Sequence, residues 1–400
     1  MRLTFAQSFP SAAIEDVWKL VTDPESMNTW STAKITSLSP GAMKTYNSVG
    51  ALRRVTVRAF ARTTVLDEVI EESEPPHRLV YRVYHGAPVR FHRGEMTLTK
   101  DADTVRFKWD VDLEGPKAIL ATLRFLLERE VGKSVRAMPS ALAQLSREPS
   151  SSARRAPVTT SAIATPDAAD LAARVTAAKN TLQRQADLST RLQQEGSPHY
   201  WFARVYEFVS EEQIAFLGSR DCKNPAWVAA LVPAFFAYYE RNLRTHVEKT
   251  VPAEKHWQKA LGRAEHYLPS AHAPGDPPEM AEAPQASSKN IARAILHGAK
   301  AHIEGDLPRA IAEISTKEFT GVPIEIFRPD YALMGSLFRR AANRVFLEAA
   351  HDRPFDLRMQ AYRVMPKAIR TALFAEGPYN IPEARMKAFE EAIRLASSSP

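Results

Sequence analysis

The sequence predicts two folds in series: an α+β domain built on a curved antiparallel sheet with one long closing helix, then a separate all-α helical bundle domain. Three observations predict this. Up to about residue 145 the apolar residues come in short alternating runs, such as TVRFKWDVD at 104–112, which is the period of a strand. Beyond residue 197 they recur mostly at helical spacing. Between the two, residues 146–166 (SREPSSSARRAPVTTSAIATP) are rich in Ser, Thr, Ala and Pro and carry no sustained apolar period. The expected organisation is a first domain over 1–147, a linker over 148–166, a bridging helix over 167–196 and a helical domain over 197–400.

In the first domain, residues 3–9 alternate as a strand. Pro10 and Ser11 open a helix with Glu15 and Asp16 near the positive end of its dipole, and Asp23–Pro24 ends it. Strand-like runs follow at 35–38, 51–60, 63–72, 77–84, 89–98 and 104–112. The breaks between them carry turn residues: Ser39-Pro40-Gly41, Pro75-Pro76, Gly86 and Asp101–Asp103. Residues 117–145 form a long amphipathic helix, with a bend at Gly132 or Pro139. A curved sheet wrapped around one helix need not fill the space between them, so a cavity can remain. Val105, Phe107, Trp109 and Val111 share one face of the last strand and are placed inward.

In the second half, Thr165-Pro166 opens a helix over 167–194 that is polar around most of its circumference. Ser197-Pro198 opens a helix to Gly218, Asn224-Pro225 opens one to Glu248, and Pro252 begins one that carries His256, Trp257 and His266. A Pro- and Ala-rich loop spans 269–287, long enough for a lid. Further helices are expected over 290–302, 330–350, 355–375 and 382–396.

Composition narrows the function classes. The 53 basic and 46 acidic residues leave +7, spread over both halves and mixed with acids, as in EARMKAFEE at 383–391. No basic stripe interleaved with aromatics is present, so nucleic acid is not an expected partner. The single Cys222 excludes an intrachain disulfide framework and any multi-thiolate metal cluster, and fits a reducing cytoplasm. The start of the chain shows no secretory signal, and the longest apolar run, AWVAALVPAFFAYY, is too short to span a bilayer and contains Pro233. No integral membrane segment is expected, and the oligomeric state is not encoded in any visible signal. The phosphate loops GxGxxG and GxxxxGK[ST] and the GxSxG elbow are missing, which counts against nucleotide cofactors and an α/β-hydrolase.

The entry segment AAIEDVWKLVTDPESMNTW, the phrase VGALRRVTV, the run EESEPPHRLVYRV and the strand TVRFKWDVD resemble the START-like superfamily over residues 1–147. The nearest subfamily is that of polyketide cyclases/dehydrases and lipid transport. The resemblance implies a helix-grip fold with a cavity for a hydrophobic small molecule, a polyketide or lipid, and implies no particular reaction. Cavity residues on that reading are Trp30, Arg54, Tyr81, His92, Glu95, Phe107 and Trp109. A His or Glu beside a bound polyketone could serve as general acid or base in cyclisation and dehydration. His92 and Glu95, however, fall on opposite faces of one strand, so only one of them can point inward.

One stretch of the helical domain also carries candidate chemistry: ILHGAKAHIEGDLPRAIA at 295–312. His302 and Asp306 are four residues apart and Glu313 follows on the same side, a set that could ligate a divalent metal or act in acid–base catalysis. The competing reading ends one helix at Gly305 and starts another at Pro308, with Asp306 as its N-cap and His302 a buried structural residue. The stretch resembles a bacterial family of helical domains of unknown function that carries an Ala-His-Ile-x-x-Asp-Leu-Pro segment, together with the upstream WFARVY and NPAWVAALVPAFFAYY. The resemblance implies that His302, Asp306, Arg204 and Tyr206 lie together in one polar cluster. Three function classes follow: a binder, or cyclase/dehydratase, of a hydrophobic small molecule in the first domain; an enzyme, metal-dependent or acid–base, at His302 and Asp306; and a non-catalytic interaction protein.

Overall fold

The computed structural model describes residues 1–59, 62–145, 168–268, 287–352, 357–365 and 379–398. The expected linker at 148–166 and almost all of the loop at 269–287 lie outside the described residues. The chain divides into two compact units, 1–164 with 323–332, and 165–322 with 333–400.

The first unit is a seven-stranded antiparallel sheet with three helices. Its strands are β1 (Arg2–Pro10), β2 (Lys34–Ser39), β3 (Leu52–Ala59), β4 (Arg62–Glu74), β5 (Arg78–His85), β6 (Phe91–Asp101) and β7 (Thr104–Glu114). The spatial order is β1-β7-β6-β5-β4-β3-β2. The first strand therefore closes on the last, with Phe5 opposite Trp109 and Phe9 opposite Val105. Helices α1 (Ile14–Thr22) and α2 (Pro24–Met27) lie between β1 and β2, and α3 (Lys117–Leu145) follows β7. Asp23 caps α2 by accepting from the Ser26 N–H at 3.0 Å.

One face of the sheet makes the core. Phe9, Ile70, Leu79, Met96, Leu98, Val105 and Phe107 pack with Val17, Trp18 and Val21 of α1 and with Val135, Met138 and Ala141 of α3. α3 contributes to this core only from Val131 onward. In its first half Ile119, Leu120, Leu123, Leu126 and Leu127 are only partly buried, and Phe125 is 58% exposed. The helix thus seals the sheet along one half and leaves an apolar flank open along the other. α3 runs continuously through Pro139, whose side chain is exposed, so the expected bend breaks no element.

Residues 323–332 group with the first unit, although the sequence pattern placed them in the helical part. The buried Arg328 donates to the carbonyls of Pro40 (2.8 Å) and Gly50 (2.5 Å), and Lys44 pairs with Glu325 at 2.5 Å. Gly50 has φ +82°, and a Cβ there would meet the Glu325 carbonyl oxygen at 1.9 Å, so only glycine fits this close approach.

The second unit is helical. It comprises α4 (Ala168–Gln194), α5 (Tyr200–Leu217), α6 (Pro225–Glu248), α7 (Lys255–Tyr267), α8 (Ser288–Ala301), α9 (Leu307–Lys317), α11 (Leu337–Asp352), α12 (Leu357–Val364) and α13 (Ile381–Ser398); the short α10 (Arg328–Leu333), between α9 and α11 in the chain, belongs up to Ala332 to the first unit. The polar helix α4 buries Ala178, Thr181, Gln185, Ser189 and Leu192, and the Ser189 hydroxyl donates to Glu207 of α5 at 2.5 Å. The centre is aromatic: Phe202, Tyr206, Phe236, Tyr239 and Trp257 are all buried. Among the described residues no helix is long and apolar enough to cross a membrane.

Candidate functional site

The core face of the sheet carries a buried polar set. Arg53 (2% exposed) donates through Nε to Glu68 (5% exposed) at 2.7 Å, and its guanidinium lies 4.8 Å from the centre of the Tyr81 ring. The Tyr81 hydroxyl accepts from Trp109 Nε1 at 3.1 Å. The His92 ring sits 6.1 Å from that of Tyr81, and its Nδ1 is buried without a hydrogen-bond partner. A Cβ at Gly94 would fall 2.1 Å from the Tyr81 ring, so the absence of a side chain there lets Tyr81 lie flat across β6. Burial raises the Glu68 carboxyl and Arg53 opposes the rise. Burial also lowers the His92 imidazole to about 4, so it is neutral at pH 7.

The helical unit holds a second set, organised by one carboxylate. α8 continues into α9 through a single π-helical turn, His302–Asp306, in which the Leu307 N–H reaches the His302 carbonyl. The wide turn lets Gly305 and Pro308 sit in a continuous helix, where an α-helical Pro308 would press on the carbonyl of Glu304. Asp306 is fully buried and accepts four hydrogen bonds: from His302 Nδ1 (2.7 Å) and Trp257 Nε1 (2.8 Å) on one oxygen, and from Arg309 (2.7 Å) and His256 Nε2 (3.1 Å) on the other. Burial would raise this carboxyl, but His256, His302 and Trp257 hold it well below the usual carboxylate range. An ionised carboxylate only accepts, so His302 must carry its proton on Nδ1.

The other face of His302 is apolar. Its ring stacks on Phe235 with centroids 3.5 Å apart and planes 5° apart, and Tyr206 meets it edge-on at 4.7 Å. Burial lowers the imidazole against the raising effect of Asp306, so it is neutral and Nε2 carries a lone pair. That Nε2 and the Tyr206 and Tyr239 hydroxyls are buried without hydrogen-bond partners. His302 and Tyr206 line a cavity of about 70 Å³ with Phe202, Leu231, Ile303 and Leu337, and Arg385 lines it too. The arrangement can take up a proton at Nε2 and donate one from a neutral tyrosine, because burial lifts the Tyr206 hydroxyl well above its ordinary value.

Residues 2–144 match the family model described as polyketide cyclase / dehydrase and lipid transport. The N-terminal domain is START-like. The Zhui aromatase/cyclase from Streptomyces sp. R1128 is 16% identical over 37% of this chain and 96% of its own, with a TM-score of 0.32. Protein NE0264 from Nitrosomonas europaea is 14% identical over 37% of this chain and 97% of its own, with a TM-score of 0.30. TTHA0849 from Thermus thermophilus is 13% identical over 36% of this chain and 99% of its own, with a TM-score of 0.31. No curated protein matches the chain.

Of the candidate residues in the START-like domain, Tyr81, His92, Phe107 and Trp109 lie on the core face. Phe107 is 1% exposed and wholly in the core. Trp30 is also core: its Nε1 donates to the Leu20 carbonyl at 2.9 Å. Arg54 and Glu95 lie on the opposite face. Arg54 makes a two-point bridge to Asp67 at 2.7 and 3.1 Å, and Glu95 accepts from Arg78 (2.6 Å) and Arg93 (2.8 Å). Strand alternation explains both displacements, since Arg53 and Arg54 must face apart, as must His92 and Glu95. The buried charge is Arg53, whose signal in the sequence is only its place in the LRRVTV run with Glu68 on the next strand.

In the helical unit His302, Asp306 and Tyr206 come together, but Arg204 does not join them. Two residues from Tyr206 on α5, it points to another side of the helix and pairs with Glu207 (2.7 Å) and Glu348 (3.0 Å). Glu313 lies apart as well, accepting from Tyr238 at 3.1 Å and from Lys317 at 2.7 Å. Asp306 is no N-cap: its backbone is helical and its side chain makes no cap bond. The metal reading of His302 and Asp306 meets a geometric obstacle. Arg309 bridges Asp306 and Glu254 at 2.7 Å each, already supplying a cation to both carboxylates. The pairing of His256 and Trp257 with Asp306 carries no local signal, because they lie 50 and 49 residues away in sequence.

Proposed function

We propose that the START-like domain binds a hydrophobic small molecule, of polyketide or lipid type, between its sheet and the first half of α3. The observation that carries this reading is the half-closed grip. Apolar side chains of α3 from Ile119 to Leu127 stay partly exposed, and the core face of the sheet carries the buried Arg53, Glu68 and Tyr81 with the half-buried His92. Buried charges are costly in a core that serves only stability, and they suit one that must orient a ligand carrying a few oxygens. The match of residues 2–144 to the polyketide cyclase / dehydrase and lipid transport family supports the same reading. In a cyclisation or dehydration, the neutral His92 would be the base nearest the ligand.

The test is native mass spectrometry of the intact chain with fatty-acyl and aromatic polyketide probes, with Leu123→Arg and Leu127→Arg in parallel. One bound probe per chain, weakened at least tenfold in both variants, supports the site. Failure of every probe to bind the unaltered chain overturns it.

A second reading is favoured by one specific observation, the lone Nε2 of His302 in an apolar cavity. Asp306 fixes the tautomer and ring orientation, as the carboxylate does in a His–Asp catalytic pair, and leaves Nε2 as an unpartnered base on a residue that lines the cavity. On this reading the helical domain carries acid–base chemistry on a small, mostly apolar substrate. Nitrogen-15 NMR of the imidazole at pH 7 checks it. A neutral Nδ1–H tautomer with a bare Nε2 is expected, and a ring protonated on both nitrogens would defeat the reading.

A further inference from the structure

Away from both sites, three side chains from separate parts of the helical unit converge. His199 immediately precedes α5, His246 lies in the last turn of α6 and Glu265 lies near the end of α7. His246 Nε2 is 2.8 Å from Glu265 Oε1, and His199 Nε2 is 3.5 Å from the same oxygen. The two imidazoles meet edge-on with centroids 5.6 Å apart. One donor atom from each of the three residues lies within 4.8 Å of the other two.

We propose that His199, His246 and Glu265 bind a divalent first-row transition-metal ion. Bonds of 2.0–2.2 Å at tetrahedral or octahedral angles separate neighbouring donor atoms by about 3–3.5 Å, close to the two spacings found here. Two imidazoles and one carboxylate form an N₂O donor set that suits zinc, iron(II), cobalt(II) or manganese(II), and three protein ligands leave further positions open. The burial is graded as such a site requires. His199 is 4% exposed, whereas the Glu265 side chain is half exposed and gives the ion a route from solvent.

The partners around Glu265 sharpen the assignment. Among the described residues no Lys or Arg pairs with this carboxylate; its partners are the two imidazoles. The hydrogen bond from His199, joined by one from His246, holds the Glu265 carboxyl down at about 2 against the burial that would raise it. The other His–carboxylate group of this unit, Glu254 with His256 and Asp306, differs at this point, because Arg309 sits between its two carboxylates. His199 also lines a small pocket with Phe202, Tyr239 and Trp257, whose rings surround His302 on another side. A metal here would therefore tie α5, α6 and α7 together around the layer that backs the His302 cavity.

The experiment is a titration of the intact, chelator-treated chain with cobalt(II) followed by its visible d–d bands, and with zinc(II) followed by calorimetry. Unaltered protein is expected to take up one equivalent. His246→Ala and Glu265→Gln are each expected to weaken binding by at least about tenfold, the lower end of what disturbing even an outer-shell partner does. His256→Ala and His266→Ala should leave it unchanged. His246 and Glu265 are not core residues, and circular dichroism of the variants confirms that the fold is kept. Absence of stoichiometric binding overturns the proposal. So does binding that survives both site variants, or that is lost in His256→Ala instead.

Discussion

The START-like core face and the His302 cavity are both apolar enclosures with ionisable groups inside, and they treat those groups in opposite ways. In the first, the strongest charges satisfy each other: Arg53 is matched to Glu68, and Tyr81 accepts from Trp109. In the second, one carboxylate is over-satisfied so that another group is left free. Asp306 takes four donors, and the imidazole it fixes keeps a buried Nε2 without a hydrogen-bond partner. A paired buried charge orients and polarises. A buried lone pair without a partner invites a proton or a ligand, because its desolvation cost stays uncompensated until one arrives. The difference separates a face whose buried charges are paired from one that keeps an unpaired nitrogen.

The sharpest way to break this comparison is to remove the hub. Asp306→Ala strips the partner from two imidazoles, an indole N–H and a guanidinium at once. It should cost about 3–5 kcal/mol in chemical denaturation, the range for orphaning buried charge. His302→Gln should cost only about 1–2 kcal/mol, since Asp306 keeps three donors. Equal losses in the two variants would mean that His302, not Asp306, organises the cluster. In the START-like core, Arg53→Met should cost about 3–5 kcal/mol by leaving Glu68 buried and unpaired, while Arg53→Met with Glu68→Leu should recover most of that loss. A double variant no more stable than the single one would show that the pair is not a closed unit.

These contrasts indicate why part of the molecule could be read from its sequence and part could not. Elements with strong local signals emerged near their true limits: the helix at 117–145 from its amphipathic run, and α6 from Asn224-Pro225 at its start. The order of strand, helix, sheet and long helix followed from the same local periodicities. Facing was harder. Leu52 and Arg53 are adjacent and both buried, so alternation alone does not reveal which arginine turns inward. The π turn was hidden because Gly305 and Pro308 carry the marks of a helix break, and only the packing of His302 and Asp306 makes a widened turn the better solution. The partners of Asp306 and the attachment of Arg328 to Pro40 and Gly50 depend on contacts between distant residues, which no window of sequence contains.

Acid provides a gentler probe of the two enclosures. His92 has its folded value depressed to about 4 against an ordinary value near 6.5, so the unfolded chain binds the extra proton first as the pH falls. Its contribution is complete above pH ~6.5 and is lost as the pH drops to about 4. With allowance for the solvent that reaches this partly buried ring, the loss is about 1–2 kcal/mol. His92→Phe should flatten that part of the stability profile, measured by denaturation at several pH values. Asp306 has a depressed carboxyl, so its contribution is held above the usual carboxylate value of about 4 and fades only in stronger acid. A profile still steep between pH 6.5 and 4 in His92→Phe would move the acid sensitivity to His302, a buried imidazole that burial also lowers.

The smallest expected effect tests the facing of a single strand. Arg54 is next to Arg53 and equally charged, but its side chain is 47% exposed and its bridge to Asp67 lies on the outer face of the sheet. Such a pair loses much of its Coulomb attraction to solvent and spends side-chain entropy to hold its geometry. Arg54→Ala should therefore cost less than about 1 kcal/mol and leave the binding of any apolar probe unchanged. Arg53→Met should weaken that binding, because its guanidinium flanks the Tyr81 ring on the core face. Measured side by side at equal probe concentration, two adjacent arginines then report on two faces. If Arg54→Ala weakens binding as strongly as Arg53→Met, the ligand reaches the outer face, and the half-closed grip of α3 is not where it enters.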